Sequence, residues 1–223
     1  MSHSKPRIAL IHALRDSLAP AMDAMARGWP DASPVNLLDD SLSADLAARH
    51  GVIEESIVER FVTLGRYARS TGADGILFTC SAFGSAIEAV KADLRLPVLK
   101  PNEAGLEEAL EAGRRIALLA TFPSTIPSMT HELETMARAR GVVPTIMTRV
   151  VDGALAALQG GDAARHDALV AEAAAAFASA DAVLLAQFSM ARAAALVPAL
   201  PGRRVLTTPG SAVAKLRRLV EAG

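Results

Sequence analysis

The sequence predicts an α/β protein of two similar lobes, each a parallel β-sheet flanked by helices. Three observations carry that prediction. Short apolar segments alternate with helical patterns, the same order of segments returns once at a nearly fixed displacement, and the composition is that of a globular chain. The 223 residues are 51% hydrophobic and 21% charged, with a formal net charge of -1. That is ample material for a core and, by size, for one domain or two small ones.

The elements follow in order. RIALIHA at 7–13 returns as RIALLAT at 115–121, which is 115 − 7 = 108 positions on. Both read as strands buried on two faces, because such strands carry continuous apolar runs rather than alternation. DGILFTC at 74–80 is answered by DAVLLAQ at 181–187, displaced by 181 − 74 = 107. PVLKP at 97–101 is echoed by RVLTTP at 204–209, whose closing prolines stand 209 − 101 = 108 apart. Helical patterns follow the first strands at 17–27 and 126–140, and others precede the aspartate-led strands at 54–70 and 165–180. The alanine-rich stretch 171–176 is helical, with a close-packed face. Further strands are expected at 35–38 and 143–147, and Gly160-Gly161 marks a turn. Segment 104–113, rich in alanine and glutamate, is expected to be a helix connecting the lobes. The lobes are therefore placed at 1–103 and 104–209, with a C-terminal helix at 210–223 able to pack on the first.

Composition excludes several function classes. A balanced charge and 4% aromatic content argue against a nucleic-acid partner, which would need a basic surface and stacking rings. The polar start to Arg7 and the short apolar run closing at His12 fit neither a signal peptide nor a membrane span. One cysteine allows no internal disulfide, as suits a reducing cytoplasm, where the protein is expected. His3, His50, His131 and His166 are scattered without ligand spacing, so no metal site is expected. No Walker loop, dinucleotide glycine fingerprint or Gly-x-Ser-x-Gly elbow appears. The alanine-rich helix faces make a homodimer an option.

In open parallel sheets, ligands bind beyond the carboxyl ends of the strands. His12, Cys80, Thr121, Gln187, Thr207 and Thr208 all fall at such ends. Cys80 stands where a buried strand gives way through Thr79 to small residues able to open a helix. A helix N-terminus there would favour its thiolate and make it an acid, base or nucleophile; the plainer reading is a small buried thiol capping a strand. Charge developing on a carboxylate calls for hydrogen-bond donors. The first lobe offers the N–H groups of Ser81 and Ala82 and the Thr79 hydroxyl. The second offers Thr121, Ser124 and Thr125 around Pro123, with Ser189 two residues past Gln187. Turn chemistry accounts for the hydroxyls around Pro123 equally, and a helix N-cap for Ser189. Gln187 either donates its amide N–H to a substrate oxygen or simply ends a strand. His12 either orients substrate or is a hydrogen-bonded structural ring. Asn102 either binds substrate or caps the connecting helix, and Asp39 and Asp40 either bind an amine or form a solvated loop.

DGILFTCSAFG at 74–84, ATFPST at 120–125 and DAVLLAQFSMA at 181–191 resemble the aspartate/glutamate/hydantoin racemase superfamily over nearly the whole chain. The resemblance implies an active site in a cleft between the lobes, a small carboxylate as substrate, and chemistry that needs neither pyridoxal phosphate nor metal. In that superfamily each lobe supplies a cysteine, one removing the α-proton while the other protonates the opposite face. Here the second of those positions holds Gln187. The implied function is a racemase-like isomerase working through Cys80, with one-thiol decarboxylation, as in arylmalonate decarboxylase, the close alternative. A maleate isomerase branch, in which the first-lobe cysteine attacks an alkene carbon, is a further precedent. A reading from another class is a two-lobed receptor that binds a small anion without transforming it.

Overall fold

The computed structural model describes residues 5–123 and 125–223, and within them the chain forms two compact units. The described residues up to 101, with 212–223, make the first, and those from 102 to 211 the second.

The first unit is built on strands β1 (Arg7–His12), β2 (Ser33–Leu38), β3 (Gly75–Phe78) and β4 (Val98–Leu99). All pair in parallel, in the order β2-β1-β3-β4. Helices α1 (Leu18–Gly28), α2 (Ser41–Ala48), α3 (Glu55–Ser70) and α4 (Gly84–Asp93) connect them. β3 is buried along its whole length, which is why its sequence shows no polar alternation. β2 is an edge strand, where Pro34 is tolerated because no ladder partner needs its missing N–H. Phe61 of α3 stacks on Phe78 at 5.2 Å between ring centroids and meets Phe83 at 4.8 Å, so aromatic rings anchor the chain on both sides of Cys80.

The second unit repeats the plan with β5 (Arg115–Ala120), β6 (Thr145–Val150), β7 (Ala182–Leu185) and β8 (Arg204–Thr207), parallel in the order β6-β5-β7-β8. Its helices are α5 (Glu103–Ala112), α6 (Thr125–Ala139), α7 (Ala154–Gln159) and α8 (Ala163–Ala175). The registers repeat as well: Ile8 is level with Gly75 in one sheet, as Ile116 is with Ala182 in the other.

The two aspartates that lead the repeated strands have a structural task at the amino ends. Asp74 accepts the Arg7 N–H at 2.7 Å. Asp181 accepts the N–H groups of Arg114 and Arg115, both at 2.9 Å, and the Arg115 guanidinium at 2.7 Å. Those donors hold the Asp181 carboxyl down at about 2. In each sheet this clamp joins the first strand to the third.

Several expectations shift. The segment expected to connect the lobes is α5, and it packs as a flanking helix of the second unit, with Leu106 and Ala109 buried beside Leu118, Leu184 and Leu206. The last helix, α9 (Thr208–Ala222), buries Val213 and Leu216 against Gly28 and Gly75 of the first unit. β6 starts two residues later than expected, because Pro144 cannot donate to the ladder and Thr145 makes the first bond, to the Arg114 carbonyl. α8 stops at Ala175 because the chain turns through Phe177 and Ala180 to reach the next strand. Among the described residues no helix is long and apolar enough to cross a membrane.

Candidate active site

In each sheet the chain leaves the first strand toward one side and returns to the third strand on the other. The positions between β1 and β3, and between β5 and β7, are therefore topological switch points, where the carboxyl ends of α/β sheets leave a crevice. His12, Thr79 and Cys80 stand at the first such point, and Thr121 and Gln187 at the second.

In the first unit, the backbone ladder between β1 and β3 ends at the pair Ile11 and Phe78, followed by one bond from the Thr79 N–H to the Ile11 carbonyl at 3.1 Å. Side chains take over there. Nδ1 of His12 lies 2.9 Å from the Thr79 hydroxyl and 3.0 Å from that of Ser17, while Nε2 lies 2.9 Å from Asn36 Oδ1. Burial drives the His12 pKa below its ordinary value, and the Asn36 oxygen offsets this in part. His12 and Thr79, read as substrate contacts with a hydrogen-bonded structural ring as the alternative for His12, are buried and bonded to each other.

Cys80 follows, half-buried, at the cap position of a short 3-10 turn, Ser81–Phe83, that leads into α4. Its sulfur packs against the first unit's core and accepts the Ala82 N–H. The expectation of a favoured thiolate is corrected here: burial pushes the Cys80 thiol up, and the Ala82 N–H lowers it by less. The same N–H, expected to meet substrate, is directed at the sulfur, whereas the Ser81 and Ala82 residues are exposed.

In the second unit, Ala186 N–H to the Leu119 carbonyl, 2.9 Å, is the last ladder bond, and a side-chain tie again succeeds it. Oε1 of Gln187 accepts the Thr121 backbone N–H and, at 2.9 Å, the Thr121 hydroxyl. Because a backbone N–H can only donate, the atom facing it is the amide oxygen, and the NH2 group points elsewhere. It has no partner among the described residues. Thr121 is buried with both donors committed to Gln187. Thr125 opens α6, its N–H bonded to the Phe122 carbonyl, and Ser189 lies half-buried in the 3-10 segment Phe188–Leu196. Ser124 lies outside the described residues.

Of the remaining candidates, some are committed within the fold, and Thr208 is buried without a hydrogen-bond partner for its hydroxyl among the described residues. Asp39 pairs with Arg60 and Asp40 with Arg15, which occupies both carboxylates. Asn102 holds the cap position of α5 without a side-chain capping bond. Thr207 accepts the Gly210 N–H. Sequence reasoning missed Ser17 and Asn36. The signal available was Asn36 itself, a polar residue inside the apolar strand β2; Ser17 gave none. Among the described residues no group of three or more His, Cys, Asp or Glu side chains is placed to hold a metal ion.

No curated protein sequence matches the chain. Solved structures match it over nearly its whole length at low identity, a likeness of fold. Picrophilus torridus aspartate racemase is 14% identical, with 97% of this chain and 94% of that one covered and a TM-score of 0.69. Allantoin racemase from Klebsiella pneumoniae is 19% identical, with 98% and 89% covered and a TM-score of 0.67. Arylmalonate decarboxylase is 21% identical, with 98% and 94% covered and a TM-score of 0.67. The family model described as Asp/Glu/Hydantoin racemase matches residues 16–216, nine-tenths of the sequence, and the chain belongs to that family.

Proposed function

We propose that the chain is an enzyme acting at the α-carbon of a small carboxylate through one thiol, Cys80. The observation that carries this reading is the chemistry at the two switch points. One holds a sulfur able to give or take a proton, and the other holds an amide whose oxygen is tied to Thr121 and whose NH2 can only donate a hydrogen bond. A single proton carrier therefore serves the reaction, and Gln187 orients a substrate oxygen.

Two reactions share this step. In racemisation, the thiolate removes the α-proton, the electron pair enters the carboxylate as an enediolate, and a second group must protonate the other face. In decarboxylation, the bond to a second carboxylate breaks, carbon dioxide leaves, and the electron pair it leaves behind at the α-carbon takes the thiol proton; water then reprotonates the sulfur. Burial pushes the Cys80 thiol up, toward the form that a proton donor needs, and the amide at the second switch point has no proton to deliver to the opposite face. That favours decarboxylation of a malonate-type acid over the racemase-like isomerisation the family suggests.

Incubation in deuterium oxide with arylmalonates, maleate, hydantoins and amino acids tests the reading. The expected result is release of carbon dioxide from a malonate, with one deuterium at the α-carbon, lost in Cys80→Ser and on thiol alkylation. Deuterium exchange without carbon loss would favour the racemase reading. Full turnover by Cys80→Ser would remove the thiol from the mechanism. Ligand binding without turnover, unchanged in Cys80→Ser, would identify an anion receptor.

A further inference from the structure

We propose that His12 is a positioning residue: it locks the Thr79 hydroxyl across the gap between β1 and β3 and so fixes the direction from which Cys80 leaves the sheet. The hydrogen positions follow from the partners. Asn36 directs its Nδ2 at the Met22 sulfur, 3.4 Å away, and so presents Oδ1 to the ring. Nε2 of His12 therefore carries the hydrogen, and Nδ1 is an acceptor. Ser17 donates its hydroxyl to the Leu14 carbonyl at 2.7 Å, which leaves the Thr79 hydroxyl to satisfy Nδ1. The Thr79 hydrogen has two other acceptors within reach, Ser17 Oγ at 3.0 Å and the Ile11 carbonyl at 3.4 Å, and the ring nitrogen at 2.9 Å is the nearest of the three.

Placement gives the lock its importance. The last backbone bond between β1 and β3 reaches Thr79, and Cys80 is the next residue. His12 is fully buried, with both nitrogens engaged inside the first unit, so it acts through Thr79 and not on a ligand. The second unit also carries a side-chain tie past its ladder, but one position further on, between Thr121 and Gln187, which correspond to Ala13 and Cys80 of the first. Two different chemistries just past the two ladders indicate a shared requirement: the strand end must be held where the backbone ladder stops holding it.

The test does not depend on the proposed reaction, because neither readout requires turnover. Nitrogen-15 shifts of the His12 ring are expected to show the Nε2–H tautomer. Thr79→Val, which replaces the hydroxyl by a methyl of similar size, is expected to react with iodoacetamide at Cys80 about fivefold faster at neutral pH while remaining folded by circular dichroism, the change equivalent to one hydrogen bond of about 1 kcal/mol. Thr79→Ser is expected to restore the parent rate, which a loss of packing alone would not. An Nδ1–H tautomer, or a folded Thr79→Val with an unchanged or slower rate, would overturn the proposal. Should Thr79→Val fail to fold, the tautomer of the unaltered protein decides.

Discussion

Gln187→Glu separates the shape of the Gln187 side chain from its chemistry. The new carboxylate has the size of the amide and can still accept the Thr121 N–H and hydroxyl, so the tie across the switch point is retained and strengthened by charge. What changes is the outward group, from a two-hydrogen donor to an acceptor that is negative at neutral pH. Against a substrate carboxylate about 4 Å away, like charges repel by about 4 kcal/mol at an effective dielectric constant of about 20, and the lost donor adds about 1 kcal/mol. Solvent screening reduces the total, and a fall in kcat/KM of at least about a hundredfold is expected, with a melting temperature equal to or above that of the parent. Steady-state kinetics on the substrate that passes the deuterium test, with isothermal titration of its unreactive analogue, measures both quantities. Activity should also recover as the pH falls and the introduced carboxylate protonates. Undiminished kcat/KM in a stable Gln187→Glu protein would refute the orienting role and leave Gln187 as a strand-end residue.

Two further expectations concern the first unit. A methyl added at Gly65 of α3 would stand 2.6 Å from Val90 Cγ1 and 3.3 Å from Leu94 Cδ1. Overpacking of about 1–3 kcal/mol then outweighs the helix-propensity gain of at most about 1 kcal/mol. Gly65→Ala should lower stability by about 1 kcal/mol in urea titration. In a Val90→Ala background the same substitution should be neutral or stabilising, and additive losses would show that α3 and α4 can separate without cost. The second expectation follows from His12, whose folded pKa lies below its ordinary value of 6.5 because burial disfavours the charged ring. Between those two values the unfolded chain binds more protons, so stability is present above pH 6.5 and is lost as the pH falls through the folded value. Thermal melts from pH 7.5 to 5 should show this slope in the parent, and a His12→Phe protein that folds should show less of it.

The fold was legible because the duplication is written in residues that burial constrains. Strands covered on both faces must be apolar throughout, so RIALIH and RIALLA declare themselves, and the clamp at each amino end needs a carboxylate, so an aspartate leads both third strands. Helix α2 was not foreseen. Its first turn is organised by Asp39, whose Oδ1 accepts from Ser41, and Asp39 reads in the sequence as one of two free loop acids. Arg60 completes that cluster from 21 positions away, a distance at which no local pattern operates. The strand ends were legible, and the roles of the residues on them less so. His12, Thr79, Cys80, Thr121 and Gln187 do lie at the carboxyl ends of the strands, but which of them face inward depends on the side-chain network past the ladder. Cys80 illustrates the difference. A helix N-terminus in the sequence suggested a stabilised thiolate, whereas the structure supplies a short 3-10 turn, a single N–H and a packed aromatic floor, and desolvation prevails.

The two units thus preserve one part of their common plan and vary another. Strand order and register recur with little change because the central strands are buried among neighbours that would have to change with them, and the aspartate clamp recurs with them at the amino ends. At the carboxyl ends only the need for a tie recurs, met by an imidazole and a hydroxyl in one unit and by an amide and a hydroxyl in the other. The position after the last ladder residue holds a thiol in one unit and a bridging amide in the other, above sheets of the same order and register. On this argument, replacing Gln187 by Cys should leave the second unit folded while removing both Thr121 bonds to the amide oxygen, at a cost of about 1–3 kcal/mol for the buried donors left unpaired. Loss of folding in Gln187→Cys would show that the amide had become part of the scaffold, and retention would show that sheet and chemistry vary independently.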